Sequence, residues 1–135
     1  MEKTQSYAGE NSAICEMIES WAAAVRRKDL EGILKHHSPD IIMFDVPPPF
    51  QSVGLDAYKS TWELFFRGTA PGRFDIKTLK IIAGEDVAFC IATMICSWNN
   101  RGTFEELEFR LTVGLTKVEG EWLIVHEHHS VPASD

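Results

Sequence analysis

The stretch GEWLIVHEHHSVP, residues 120–132, follows a glycine turn and contains three of the five histidines of this 135-residue chain. Its β-branched and aromatic residues predict a β-strand at residues 121–131. Successive side chains of a strand point to opposite faces. Regular alternation therefore predicts one face with Trp122, Ile124, His126, His128 and Ser130, and an opposite face with Leu123, Val125, Glu127 and His129.

Three more strands are predicted immediately before this one, at residues 74–83, 87–98 and 104–117. Turn signals rich in Gly, Asn and Asp separate them, at residues 84–86, 99–102 and 119–120. Because such short connections join neighbouring strands that run in opposite directions, the second half of the chain predicts an antiparallel meander.

The first half predicts three helices and one strand. Apolar residues at helical spacing begin a first helix at Ser12, with Asn11 or Ser12 as its N-cap. Asp29 is the N-cap of a second helix that ends before Pro39. A strand follows at residues 41–46, and a third helix begins after Gly54. We expect an α+β domain, in which a curved antiparallel sheet wraps around the helices and leaves a pocket at its wide end.

Composition limits the functions that this chain could have. The polar residues 1–11 predict a flexible tail, and residues 12–135 fit one domain. The net charge of −7 and the scattered basic residues argue against a nucleic acid or an anionic membrane as partner. Three cysteines cannot all pair, and without a signal sequence we expect reduced thiols in the cytoplasm.

Two stretches carry a family resemblance: DLEGILKHHSPDIIMFDVPP at residues 29–48 and the quoted 120–132. In this order they resemble the nuclear transport factor 2-like superfamily, and most of all its SnoaL-like and ketosteroid isomerase-like members. The second stretch is also similar to the calcium/calmodulin-dependent kinase II association domain. The resemblance implies a cone-shaped, cystatin-like α+β barrel, a small-molecule pocket and a homodimer formed through the open sheet face.

The resemblance assigns one catalytic position. Asp45 falls on the general-base aspartate of ketosteroid isomerase, at a strand end followed by proline. Trp21 replaces the oxyanion-hole tyrosine, and Val113 lies near the position of the second, protonated acid. Two pocket arginines of the association domain correspond to Ile95 and Val113. The resemblance thus implies proton transfer by Asp45 without the known oxyanion hole.

Other polar residues are candidates to assist Asp45 in the site. His126 and His128 are interpreted as pocket groups that polarise a substrate oxygen, or as satisfied core residues. Arg110 is an anchor for an anion or a carbonyl if its side of the strand faces inward, and a surface ion-pair residue if it faces outward. The resemblance favours the pocket for Arg110. His36 and His37 are interpreted as surface groups at a helix end, without a role.

An apolar ligand would be bound by aromatic side chains. The candidates are Trp21, Phe44, Trp62, Phe89 and Trp98, of which two or three are expected to line the cavity. His126 and His128 could chelate a metal, but zinc needs at least a third ligand. The prediction is therefore no metal and no cofactor.

Three functional hypotheses follow. The first is an isomerase-type or cyclase-type enzyme that moves a proton on a small apolar carbonyl compound, with Asp45 as base. The second is a non-catalytic ligand-binding or oligomerisation module with the same fold. The third is a structural dimer whose pocket has no remaining function.

Overall fold

The computed structural model describes residues 9–68 and 70–134, which form three helices and six strands. The helices are α1 (Glu10–Arg27), α2 (Leu30–Leu34) and α3 (Leu55–Gly68). The strands are β1 (His37–Phe44), β2 (Ser52–Val53), β3 (Ala70–Ala83), β4 (Val87–Asn100), β5 (Thr103–Val118) and β6 (Glu121–Ser130). No helix within the described ranges is long and apolar enough to cross a membrane.

Helix α1 begins at Glu10, two residues before the predicted start. Its N-cap is Gly9, whose carbonyl oxygen accepts hydrogen bonds from the backbone N–H groups of Ser12 and Ala13. Because the backbone satisfies these donors, no capping side chain is needed, and the prediction of Asn11 or Ser12 as N-cap was wrong. Of the predicted tail, residues 1–8 lie outside the described residues.

Helix α2 is short and is capped as predicted. The carboxylate of Asp29 accepts a hydrogen bond from the Gly32 N–H, at 3.1 Å. The helix ends at Leu34, and His37 is already the first residue of β1, which was predicted to start only at residue 41. The interpretation of His37 as a surface group at a helix end was therefore wrong, since its side chain is buried in the sheet.

The six strands form one sheet in the order β2-β1-β6-β5-β4-β3. Strands β3 to β6 form the predicted antiparallel meander. Strand β1 lies parallel to β6, where His37 pairs with Ile124, and this extra pairing extends β1 back toward α2. The inner face of β5 consists of the buried side chains of Phe109, Leu111, Val113 and Leu115. The observed architecture confirms the predicted α+β fold class.

An irregularity in β6 changes which side chains face inward. Leu115 of β5 pairs with Ile124, and the adjacent Gly114 pairs with His126, so Val125 is an extra residue without a partner. Such a bulge reverses the alternation that follows it. Glu127 and His129 are buried on the same side as Ile124, whereas His128 is exposed. The predicted grouping of the strand's side chains was wrong beyond residue 125.

Candidate functional site

A cavity of about 770 Å³ lies between the proline-rich segment after β1, helix α3 and the inner face of the sheet. Its walls are mostly apolar. The apolar side chains that line it include Pro47, Pro49, Val53, Leu64, Phe65, Phe74, Leu107 and Phe109. The volume falls within the range of about 300–1,000 Å³ that is usual for small-molecule sites.

Few polar groups interrupt this apolar wall. Asp45 and His129 are the ionisable ones with the clearest chemical use, and Cys96 is a third. Burial raises the pKa of the Cys96 thiol to about 11, so that it stays protonated and is a poor nucleophile at neutral pH. Within the described part of the chain, no lysine or arginine lines the cavity.

The imidazole of His129 is held rigidly in the cavity wall. Its Nε2 atom donates a hydrogen bond to Oε1 of Glu127 at 2.9 Å, and its ring stacks on Phe109 with 5.6 Å between centroids. Burial alone would lower the pKa of His129, but the hydrogen bond to Glu127 and the charges of Glu127 and Asp45 raise it above 6.5. Nδ1 has no partner among the described residues and is the ring nitrogen available to a ligand.

Glu127 is the centre of a buried hydrogen-bond network. Only 1% of its surface is exposed, and its carboxylate accepts three hydrogen bonds. Besides His129, the donors are His37 Nε2 and the Tyr58 hydroxyl, each 2.7 Å from Oε2. Burial works against the charge, yet the bonds from His129 and His37 lower the pKa of Glu127 to about 2. The carboxylate is thus ionised at neutral pH despite its burial.

Tyr58 connects this network to helix α1. Its hydroxyl oxygen accepts a hydrogen bond from Nε1 of Trp21 at 3.0 Å while it donates to Glu127. Burial and the nearby negative charge of Glu127 raise the pKa of Tyr58 well above its ordinary value. Tyr58 therefore acts as a neutral donor that fixes the carboxylate in place.

Asp45 lies directly after β1 and lines the cavity. It is half-buried, and its Oδ1 accepts a hydrogen bond from the backbone N–H of Val46 at 2.8 Å. Asp45 and His129 line the same cavity, and the charge of Asp45 contributes to the raised pKa of His129. A carboxylate and an imidazole that prefers its protonated form are thereby combined in one apolar space.

A scan against protein families matches residues 14–134 to the SnoaL-like domain. The chain belongs to this SnoaL-like family. Its fold family includes isomerases and ligand-binding proteins. Among curated proteins, none matches the chain significantly. The described residues contain no group of three His, Cys, Asp or Glu side chains placed to hold a metal ion.

Solved structures confirm the fold. An NTF2-like protein of unknown function from Pseudomonas putida is 31% identical with a TM-score of 0.81, covering 90% of this chain and 85% of that one. A putative calcium/calmodulin-dependent protein kinase II association domain from Xanthomonas campestris is 18% identical, covering 100% and 97%, with a TM-score of 0.82. A ketosteroid isomerase-like protein from Erwinia carotovora atroseptica is also 18% identical, covering 93% and 100%, with a TM-score of 0.80.

Three predicted polar site residues of this SnoaL-like domain lie on the outer face of the sheet. Nδ1 of His126 donates to the Ile42 carbonyl oxygen at 2.6 Å, and His128 is exposed beside Phe44. Arg110 is also exposed, and its Nε donates to the Ser130 hydroxyl at 3.1 Å. The placement of His126, His128 and Arg110 in the cavity was therefore wrong, because the bulge and the polar side of β5 direct them outward.

Two of the five predicted aromatic residues, Trp62 and Trp98, line the cavity of the SnoaL-like domain. Trp21 is buried one layer behind the wall, where it donates to Tyr58. Phe44 packs against the outer histidines, and Phe89 is 41% exposed on the outer face. Trp21, Phe44 and Phe89 do not line the cavity, and the two that do agree with the expectation of two or three.

Proposed function

We propose that this SnoaL-like domain transfers a proton on a small, uncharged and largely apolar carbonyl compound. Asp45 is the base, and His129 is the acid that polarises the carbonyl oxygen. The observation that carries this proposal is the pairing, in one apolar cavity, of a carboxylate with an imidazole whose protonated form Glu127 favours. Titratable pairs of this kind, held in different environments, are typical of acid–base sites.

The chemistry follows from the atoms that face the cavity. Asp45 removes a proton from the carbon next to the substrate carbonyl, and the electron pair moves onto the carbonyl oxygen. The Nδ1–H of His129 donates a hydrogen bond to that oxygen as its negative charge develops. In a substrate with a β,γ carbon–carbon double bond, return of the proton from Asp45 to the γ-carbon moves the double bond into conjugation and gives the isomer. Glu127 keeps the proton on Nε2 of His129, so that Nδ1 faces the substrate.

The cavity also supports a substrate class. Its volume of about 770 Å³ accommodates a molecule of several fused or linked rings, and its walls are mainly aliphatic and aromatic. A carboxylate or phosphate would meet Asp45 without a lysine or arginine from the described residues to balance it. An anionic ligand would therefore pay an uncompensated desolvation cost, which favours an uncharged one.

The test is exchange of substrate protons for deuterium in heavy water, followed by NMR on a panel of cyclic ketones. Asp45→Asn and His129→Gln should each slow exchange by about 100-fold or more, since acid–base catalysis typically contributes that much. His128→Gln is the matched control, because it removes an imidazole from the outer face only and should keep the wild-type rate. An unchanged rate in Asp45→Asn would remove Asp45 from the mechanism.

The alternative is a binding module that holds the same class of ligand without turnover. It is favoured by the exclusion of Arg110, His126 and His128 from the cavity, which leaves His129 as the only basic side chain among the described residues that line it. Native mass spectrometry of the purified protein would then detect a ligand that survives incubation unchanged. In this case Asp45→Asn would change the affinity for the ligand, and neither protein would show a reaction rate.

A second copy of the chain is the partner that we propose for the outer sheet face. Ile82 and Phe89 pair across β3 and β4, and both are exposed together with the nearby Ile91. Apolar patches of this kind are unfavourable in water and commonly mark contact surfaces. Light scattering should detect a dimer; a stable monomer would contradict it.

We also propose the cytoplasm as the compartment of this protein, because its cysteines are expected to be reduced thiols.

A further inference from the structure

We propose that His37 is a positioning residue, a buried imidazolium that balances the charge of Glu127 and so keeps the proton of His129 exchangeable. The inference rests on the proposed role of His129 in proton transfer. His37 does not line the cavity, and it acts through the carboxylate that both histidines share. It belongs to the histidine pair that sequence patterns had assigned to the surface.

The protonation of His37 follows from the partners of its two ring nitrogens. The Tyr58 hydroxyl lies 3.1 Å from Nε2, but it donates its single proton to Oε2 of Glu127 at 2.7 Å and so supplies none to His37. Nδ1 lies 2.8 Å from the carbonyl oxygen of Lys35, and Nε2 lies 2.7 Å from Oε2 of Glu127. A carbonyl oxygen only accepts, and so does an ionised carboxylate. Both ring nitrogens must therefore carry a proton for these contacts to be hydrogen bonds. Such a ring carries a full positive charge.

The consequence of this charge is a shared counterion. Glu127 supplies one negative charge to His37 and His129, which bind opposite oxygens of the same carboxylate. With His37 neutral, the whole field of Glu127 would act on His129 and would hold its proton more tightly. With His37 charged, part of that field is cancelled. A proton donor must also release its proton during the reaction. His129 therefore works best when His37 is charged and the proton is held less tightly.

The other groups around His129 do not replace this effect. Asp45 is the only additional charged side chain from the described residues that lines the cavity beside it. Tyr58 of α3 is a neutral donor, and Cys96 of β4 stays protonated at neutral pH. The aromatic rings in contact with His129 are the uncharged side chains of Trp21, Trp62 and Phe109. The proton of His129 is thus governed by Glu127, Asp45 and His37.

The test is an NMR titration of the ring nitrogens of ¹⁵N-labelled protein, which needs no substrate. In the wild type at pH 7, both nitrogens of His37 should have the chemical shifts of protonated imidazole nitrogens. His37→Gln keeps an N–H donor near Glu127 but removes the charge, so the titration midpoint of His129 should move to higher pH. Glu127→Gln removes the anion and should move that midpoint to lower pH, by about one unit or more.

The opposite signs of the two shifts separate a charge effect from structural damage, which would not produce them. His128→Gln is the control and should leave the midpoint of His129 unchanged. An unprotonated nitrogen in wild-type His37 would overturn the proposal. This measurement uses the wild-type protein alone, so it remains decisive even if His37→Gln fails to fold. A midpoint in His37→Gln equal to that of the control would overturn it as well. Absence of turnover with both predicted shifts present would refute the proposed function alone.

Discussion

The two faces of strand β6 carry the same types of side chain and use them in opposite ways. On the inner face, Glu127 and His129 are almost fully buried and are joined to His37 and Tyr58 by hydrogen bonds of 2.7–2.9 Å. On the outer face, His126 has one hydrogen bond to a backbone carbonyl. The ring of His128 packs against the rings of Phe44 and His126.

Position, and not residue type, therefore decides what a histidine does in this strand. Inside, each polar atom must find a partner, because an unpaired buried group costs free energy. The resulting network fixes ring orientation and proton position. On the outer face, water forms hydrogen bonds with polar atoms that have no protein partner. Each contact there therefore contributes little to stability. Only the inner pair is therefore constrained tightly enough for acid–base chemistry.

The largest effect is expected from Glu127→Gln. The introduced amide turns one of two acceptor atoms into a donor, and it faces His37, Tyr58 and His129, all of which donate. Breaking a buried charge network by removing one partner costs about 3–5 kcal/mol. Urea unfolding should measure this loss in the free energy of unfolding.

The matched control is Glu108→Gln, on the exposed side of β5, where the carboxylate pairs with Lys77 at 3.0 Å. Exposed pairs contribute at most about 1 kcal/mol. Equal losses in the two variants would mean that the inner network contributes no more than a surface ion pair.

The same network predicts how stability depends on pH. The pKa of Glu127 is lowered from 4.5 to about 2, so its contribution is present above pH 4.5 and is lost as pH falls toward 2. The pKa of His129 is raised above 6.5, so its contribution is full below pH 6.5 and is lost as pH rises through the raised value. The wild type should exceed Glu127→Gln most between pH 4.5 and 6.5.

Thermal unfolding across pH would measure this difference. The variant should respond less to pH at both ends, because neither group keeps its shifted pKa without the carboxylate. A stability difference between the two proteins that stays constant from pH 3 to 9 would contradict the assignment of these shifts to the network.

Local patterns predicted most of the fold. The cap at Asp29, the helix after Gly54 and the four-strand meander all depend on residues close together in sequence, and all are present. Asp45 was assigned to the site by the family resemblance, and it does line the cavity.

The inner network was missed for two physical reasons. The bulge at Val125 depends on how β6 pairs with β5, and no property of residues 120–132 alone shows that a residue is left unpaired. His37 and Glu127 are 90 residues apart in sequence and meet only through the parallel pairing of β1 with β6. The acidic residue inside a buried strand was the one available signal, since such a residue must be paired.

The smallest effects are expected from single donors at the two faces. Tyr58→Phe removes a hydroxyl that donates to Glu127 and accepts from Trp21, and it leaves the indole N–H without its partner. A buried group left unsatisfied costs about 1–3 kcal/mol. His128→Gln alters an exposed ring, and surface substitutions usually stay within about 0.5 kcal/mol. Denaturant midpoints of the two variants should differ in this order. If Tyr58→Phe were as stable as His128→Gln, the carboxylate of Glu127 would be held by its two histidines alone, and the hydroxyl would only fill space.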